Sequence, residues 1–336
     1  MHLLVTGGAG FIGSNFVRYW LDRYPDDIVV NLDLLTYAGN LTSLEDVVAN
    51  HGDRYHFVRG DIGNTDLIVH LLDAYRIDAV VNFAAESHNS RAVLDPASFF
   101  RTNVLGTQGL MEACRLRPVE RVHHVSTCEV FGDLDLDSLD RFSEEHPYRP
   151  RTPYNAAKAG GDFVVRSYQQ TFGLPATIST CSNNFGPYQF PEKLIPLFTT
   201  KAIDGEPLPL YRSSQNRREW LFVTDHCRAI DLILRQGEVG SLYNIGSGVE
   251  KSVDDIADTI LELLDKPSDL KHYVPDRPGH DRRYLLNSDK IRRELGWQPE
   301  IDFDAGMRFT VAWYREHEAW WRPLRTRAPI AESSWR

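Results

Sequence analysis

The opening of the chain sets out a strand, a glycine-rich turn, a helix, a second strand and an acid, an order few folds accept. His2-Leu3-Leu4-Val5 is a short apolar run suited to a buried strand. It leads into Thr6-Gly7-Gly8-Ala9-Gly10-Phe11-Ile12-Gly13. Gly7, Gly10 and Gly13 follow G-x-x-G-x-x-G, and Gly8, Gly10 and Gly13 also satisfy G-x-G-x-x-G. Residues 14–21 read as an amphipathic helix, and a second apolar run over 28–32 ends in Asp33. Glycines in such a turn let the backbone approach a pyrophosphate, which the helix N-terminus then receives. An acid at the end of the second strand accepts hydrogen bonds from a ribose and repels a 2′-phosphate. The segment therefore predicts a dinucleotide site that prefers NAD to NADP.

Alternation continues downstream. Strand-like runs occupy 55–58, 79–83, 122–125 and 176–179, with helical stretches over 66–75, 97–116 and 154–172. This predicts an α/β fold, a doubly wound parallel (Rossmann) sheet with helices on both faces. Ligands of such sheets bind beyond the carboxyl ends of the strands. Asp61, Ala84-Ala85-Glu86-Ser87, Ser126–Glu129 and Ser182-Asn183-Asn184 fall there. After Phe185 the texture changes to apolar helical segments over 194–203, 225–234 and 253–264, broken by loops rich in Pro, Arg and Asp. We expect an NAD-binding domain over 1–185 and a smaller mixed α/β substrate-binding domain over 186–320. The two should interleave through a return strand near 242–246. The tail, 321–336, has no assigned role.

The remaining chemistry bounds the function. A formal net charge of −10 argues against nucleic-acid or membrane-surface binding. No apolar stretch approaches the ~20 residues that span a bilayer. The N-terminus enters a strand at once, without the regions of a secretory signal. Cys114, Cys128, Cys181 and Cys227 show no C-x-x-C spacing and read as reduced thiols of a cytoplasmic protein. No H-E-x-x-H or similar pattern occurs, so no metal is expected.

Tyr154 and Lys158 lie four residues apart, which places phenol and ammonium on one helix face. A neighbouring cation favours phenolate, so the tyrosine is expected to titrate nearer neutrality. Such a base can take a proton from an alcohol whose carbon loses a hydride.

Together these residues resemble the extended short-chain dehydrogenase/reductases, and within them the nucleotide-diphosphate-glucose 4,6-dehydratases, especially the dTDP-glucose enzymes. The similarity runs over nearly all of residues 2–315. It is carried by the glycine turn, 33–40, 84–88, 126–133, 154–160, 182–189, 191–196 and Asp276-Arg277-Pro278-Gly279-His280-Asp281-Arg282-Arg283-Tyr284. The resemblance implies a redox-neutral cycle on NAD. Tyr154, assisted by Lys158, takes the proton of the sugar 4-hydroxyl, which Thr127 also binds. Oxidation at C4 acidifies the C5 proton, which Glu129 removes. Position 128 protonates the departing C6 hydroxyl, and hydride returns to C6. The implied cofactor set is Gly7, Gly10, Phe11, Ile12, Gly13, Asp33, Leu34, Thr36, Asp61, Ile62, Phe83, Ala84, Ala85, Ser87, Thr102, Ser126, Tyr154, Lys158 and Cys181. The implied nucleotide-sugar set is Ser87, Thr127, Asn183, Lys193, Leu194, Pro209, Tyr211, Arg218, Arg277 and His280.

Departures from the family pattern are specific. Cys128 stands where the dTDP-glucose enzymes carry Asp; a thiol with an ordinary pKa of about 8.5 is mostly protonated at neutral pH. Its other reading is a small apolar filler. A 5,6-dehydratase leaving an exocyclic alkene stays open as an alternative, as do a 4-epimerase and a UDP-glucuronate decarboxylase. A non-catalytic NAD-binding protein would have lost Tyr154, Lys158 or the glycine turn. The resemblance also implies a homodimer, paired through the helices over 97–116 and 154–172.

Overall fold

The computed structural model describes residues 1–276 and 279–327. Twelve strands are present among them: β1 His2–Thr6, β2 Ile28–Asp33, β3 Tyr55–Arg59, β4 Ala79–Asn82, β5 Arg121–Thr127, β6 Ala176–Cys181, β7 Asn183–Phe185, β8 Leu208–Tyr211, β9 Arg217–Phe222, β10 Leu242–Ile245, β11 Glu250–Ser252 and β12 Lys271–Val274. Seven form one sheet in the order β10-β6-β5-β4-β1-β2-β3, and every pairing in it is parallel. The doubly wound sheet read from the sequence is the one observed.

The period-2 alternation of a strand explains how both faces are covered. Leu4, Val30, Val80 and Val122 point into one apolar layer. Leu3, Val5, Val29 and Val81 point into the other. Strands buried on two sides need continuous apolar runs, which these have. The helix Phe11–Arg23 packs on the second layer through Phe16, Val17 and Trp20.

The helix Pro153–Phe172 has local causes at both ends. The Thr152 hydroxyl accepts from Asn155 N at 3.2 Å, Pro153 occupies the first turn, and Gly173 ends the helix at φ +70°. The stretch over 97–116, read as one helix, is a helix Pro96–Phe100, a π-helical segment Arg101–Gly106 and a helix Thr107–Leu116. Its wide turn lies where Asn103 exchanges two hydrogen bonds with the backbone of Glu86, at 2.9 and 3.0 Å. Such bulges recur at functional sites, where the extra residue redirects neighbouring side chains.

Beyond β6 the chain builds a second layer of structure on one end of the sheet. β7, β9 and β11 form a three-stranded sheet and β8 pairs with β12. Their core holds Phe185, Phe198, Trp220, Phe222, Ile256 and Met307. β10 returns to the large sheet beside β6. The helices Phe303–Glu316 and Glu318–Arg325 close the described chain. Tyr314 donates its phenol to Gln189 O, and Arg327 Nη1 donates to Gly39 O at 3.1 Å.

Candidate active site

A cleft of about 310 Å³ opens at the carboxyl ends of the central strands. The glycine turn forms its floor for steric reasons. Gly7 sits at φ +70°, and a Cβ there would lie 2.6 Å from Ala84 N. A Cβ at Gly13 would lie 2.3 Å from Gly7 O, so the turn and the helix start can close only on glycine. Asp33 ends β2 and is almost fully buried. Its carboxylate accepts from Ala9 N at 2.9 Å and Leu35 N at 2.8 Å, while burial raises its pKa. The acid thus braces the glycine turn as well as facing the cleft.

Every residue of the expected cofactor set lines this cleft: Gly7, Gly10, Phe11, Ile12, Gly13, Asp33, Leu34, Thr36, Asp61, Ile62, Phe83, Ala84, Ala85, Ser87, Thr102, Ser126, Tyr154, Lys158 and Cys181. Thr102 reaches it from the π-helical segment. Thr127, Cys128, Glu129, Asn183 and Lys193 share the same walls.

The reactive side chains are held from three directions. Thr127 ends β5 on the same wall as Tyr154, and its hydroxyl accepts from Glu129 N at 3.3 Å. Lys158 Nζ donates to Val125 O at 2.7 Å. Glu129 accepts from Asn89 Nδ2 at 2.9 Å. Lys193 Nζ donates to Ser87 O at 2.8 Å, tying the second lobe to the loop after β4.

One electrostatic expectation is overturned. Burial pushes Tyr154 well above its ordinary value, and the Glu129 charge pushes in the same direction, against the smaller pull of the neighbouring Thr127 hydroxyl. Spacing on a helix does not measure desolvation, which dominates here. Burial also lowers Lys158, against the pull of Asp162. Cys128 is likewise driven well above a free thiol, first by burial and then by Glu129. It lines the cleft and also packs in the apolar layer with Val130 and Phe131. Its proton is firmly held.

Other sequence-derived residues fall elsewhere. Leu194, Pro209, Tyr211, Arg218 and His280 are not among the lining residues of this cleft. Arg218 lies almost buried, donating to the carbonyls of Arg217, Arg282 and Asp281, with its guanidinium 4.6 Å from the Tyr284 ring centroid. Its two terminal nitrogens are thereby tied to backbone carbonyls. Tyr211 and His280 pack edge to face at 5.1 Å, and Ser213 Oγ lies 3.0 Å from His280 Nδ1. Arg277 lies outside the described residues.

Sequence reasoning missed the roof of the cleft. Tyr37, Glu86 and Glu192 line it. Tyr37 donates to Glu192 Oε1 at 2.7 Å, Arg91 Nε lies 3.3 Å from Glu192 Oε2, and the Arg91 guanidinium stacks 3.9 Å from the Tyr37 centroid. Glu86 is raised by burial and hydrogen-bonded by Thr36. The stretches 33–40, 84–88 and 191–196 carried these residues, without a signal that they meet.

Comparison with known proteins decides the family. The family model described as GDP-mannose 4,6 dehydratase matches residues 4–310. The chain belongs to this family. A dTDP-glucose 4,6-dehydratase of Streptomyces niveus is 47% identical over 330 residues, covering 97% of this chain and 96% of the relative. Among solved structures, the dTDP-glucose 4,6-dehydratase DesIV of Streptomyces venezuelae, with NAD and TYD bound, superposes with a TM-score of 0.92. It is 48% identical and covers 96% of this chain and 100% of its own. The Bacillus anthracis dTDP-glucose 4,6-dehydratase, in complex with NAD, gives a TM-score of 0.89 at 45% identity, with 96% and 99% coverage. This member of the GDP-mannose 4,6-dehydratase family is an extended short-chain dehydrogenase/reductase of the nucleotide-sugar 4,6-dehydratase type. Among its described residues no helix is long and apolar enough to cross a membrane, and no group of three or more His, Cys, Asp or Glu side chains is placed to hold a metal ion.

Proposed function

We propose that this chain performs the NAD-dependent dehydration of a nucleotide-diphosphate hexose, dTDP-glucose to dTDP-4-keto-6-deoxyglucose. One observation carries the reading: Thr127, Glu129, Tyr154 and Lys158 enter the same cleft as the glycine turn. The close identity to dTDP-glucose 4,6-dehydratases over nearly the whole chain supports it.

The floor of the cleft suits NAD. Gly7 and Gly13 let the turn pack against Ala84 and against itself, a close fold that leaves the helix N-terminus facing a pyrophosphate. Asp33 retains lone pairs for a ribose hydroxyl after accepting two backbone amides. NAD, when bound, supplies a hydride acceptor and donor and a positively charged ring.

The chain's own groups handle the protons. Tyr154 takes the proton of the 4-hydroxyl, with Thr127 holding that oxygen in place. The Lys158 ammonium, anchored on Val125 O, supports the phenolate. Glu129, oriented by Asn89, takes the C5 proton. The Cys128 thiol remains protonated and faces the leaving hydroxyl as donor, though burial makes it a reluctant one. A 4-epimerase has no use for a base at Glu129.

The nucleotide-sugar half over 186–320 holds the diphosphate and base, with Asn183, Lys193, Leu194, Pro209, Tyr211, Arg218, Arg277 and His280 as its candidate contacts. Exposed Phe100, Leu105 and Phe163 on the 96–116 and 153–172 helices support a homodimer joined there. Four buried free thiols support a reducing, cytoplasmic setting. Incubating the purified protein with dTDP-glucose in D₂O, followed by NMR of the product, tests the reading. A 6-deoxy-4-ketosugar with deuterium at C5 is expected. An exocyclic alkene, an epimer or unchanged sugar would refute it.

A further inference from the structure

Lys158 presents a problem that the proposed chemistry leaves unsolved. The lysine is 4% exposed, and Tyr154 beside it is 8% exposed. Removing an ammonium from water favours the neutral amine. A neutral amine stabilises no phenolate. One hydrogen bond, to the carbonyl of Val125, does not supply a counter-charge.

Asp162 stands one helical turn beyond Lys158, as Lys158 stands one turn beyond Tyr154. Its carboxylate is fully buried. Asp162 Oδ2 accepts from Ser126 Oγ at 2.7 Å and from Tyr148 Oη at 2.9 Å. Asp162 Oδ1 faces His124 Nε2 at 3.3 Å. A polar chain runs on beneath the sheet: His124 Nδ1 accepts from Asn82 Nδ2 at 3.0 Å, and Asn82 Oδ1 accepts from Thr6 Oγ1 at 2.6 Å. No step of the proposed mechanism uses this network.

The groups around Lys158 come from every packed element. Its own helix brings Tyr154 and Asp162, β5 brings His124, β6 brings Cys181, and the loop before the helix brings Tyr148. His124 is pushed toward its neutral form by burial and by the lysine charge. Burial pushes the Cys181 thiol up to about 12 and Tyr148 well above its usual range. The buried Asp162 carboxyl, one turn along the same helix, pulls Lys158 toward the charged state.

We propose that Asp162 is a positioning residue for the proton-transfer pair, its carboxylate serving as the counter-charge that keeps the buried Lys158 ammonium protonated beside Tyr154. The proposal rests on the role given to Lys158 above. The hydroxyls of Ser126 and Tyr148 fix the carboxylate so that its charge is spent on the lysine and not on a conformational search. Ser126 also lines the cleft, so the support is continuous with the site.

The test is an NMR titration of Lys158 in the full-length protein carrying ¹³Cε-lysine, with the resonance assigned through Lys158→Arg. In the wild type the signal should remain that of an ammonium through neutral pH. In Asp162→Asn, which keeps an acceptor for Ser126 and Tyr148, the titration should move down by about one unit or more. The basic limb of the kcat profile should move with it, the KM for dTDP-glucose changing by less than about threefold. Asp162→Glu should restore both. An unchanged lysine titration, or a profile reduced in height but not displaced, would overturn the proposal. Should the Asn variant not fold, a neutral amine at pH 7 in the wild type overturns it by itself. The titration needs no turnover, so failure of the dehydration assay would condemn the functional reading and leave this result standing.

Discussion

The two ends of the cleft are built on different principles. On the side of the large sheet, functional groups leave the ends of β1, β2, β4 and β5, and backbone ladders hold them. Gly7, Asp33, Ala84 and Thr127 each follow directly from a buried parallel strand. On the second lobe, side chains hold the backbone. Glu219 on β9 accepts from Gly248 N at 2.6 Å and Leu286 N at 2.9 Å. Arg218 gathers three carbonyls, and Asp281 binds the Tyr284 phenol. A ladder tolerates changes of side chain. A lobe tied by buried charges does not, since removing one partner leaves the other unpaired.

The contrast can be broken most directly at Tyr154. Tyr154→Phe leaves the strand ends intact and should lower kcat by about 10²–10⁴-fold, with little change in melting temperature. A large drop in stability would show that the phenol is structural. Gly7→Ala forces a Cβ against Ala84 N at φ +70°, where a side chain costs ~1–2 kcal/mol before any clash. NAD affinity, measured by calorimetry, should fall at least about tenfold. Arg218→Met sharpens the other half. It should destabilise the fold by about 1–3 kcal/mol in urea titrations through three abandoned carbonyls. A rise in the KM for dTDP-glucose would support the diphosphate contact proposed for Arg218.

The smallest expected effect is in pH. Burial raises Glu219 to about 7. The folded state therefore binds this proton more tightly than the unfolded chain does. Its contribution to stability is present at acid pH and declines as pH rises from the unfolded value of about 4.3 through the folded value. Urea midpoints at pH 5 and pH 8 should differ more in the wild type than in Glu219→Gln. Parallel slopes would show that Glu219 stays charged throughout.

The same contrast governs what sequence could reveal. The β1-turn-helix-β2-acid unit is local, and its sterics admit few substitutes, so both strands and the cleft they build were readable. The helix Leu194–Ile203 is marked by its apolar residues, and Pro153–Phe172 is bounded by Thr152 and Gly173. The π-helical turn at Arg101–Gly106 left no mark, because one extra residue scarcely disturbs a 3.6-residue period. Nor could spacing show that Tyr37, Arg91 and Glu192 converge, since three distant segments supply them. The titration of Tyr154 was misjudged because one turn of helix reports a neighbour and not the solvent it has lost. The charge of Arg218 is plain in the sequence, while its bonds to the carbonyls of Asp281 and Arg282 depend on a segment more than sixty residues away.

The closing helices hold two walls of the cleft from far along the polypeptide, Tyr314 on Gln189 and Arg327 on Gly39, the latter across 288 positions. The loop beside the glycine turn is held near at hand by Asn40 N on Ala9 O at 2.9 Å, from mid-chain by Glu192 on Tyr37, and from the far lobe by Arg327. A wall of the coenzyme cleft thus borrows part of its support from the opposite lobe, so loosening that distant anchor would be felt at the dinucleotide floor.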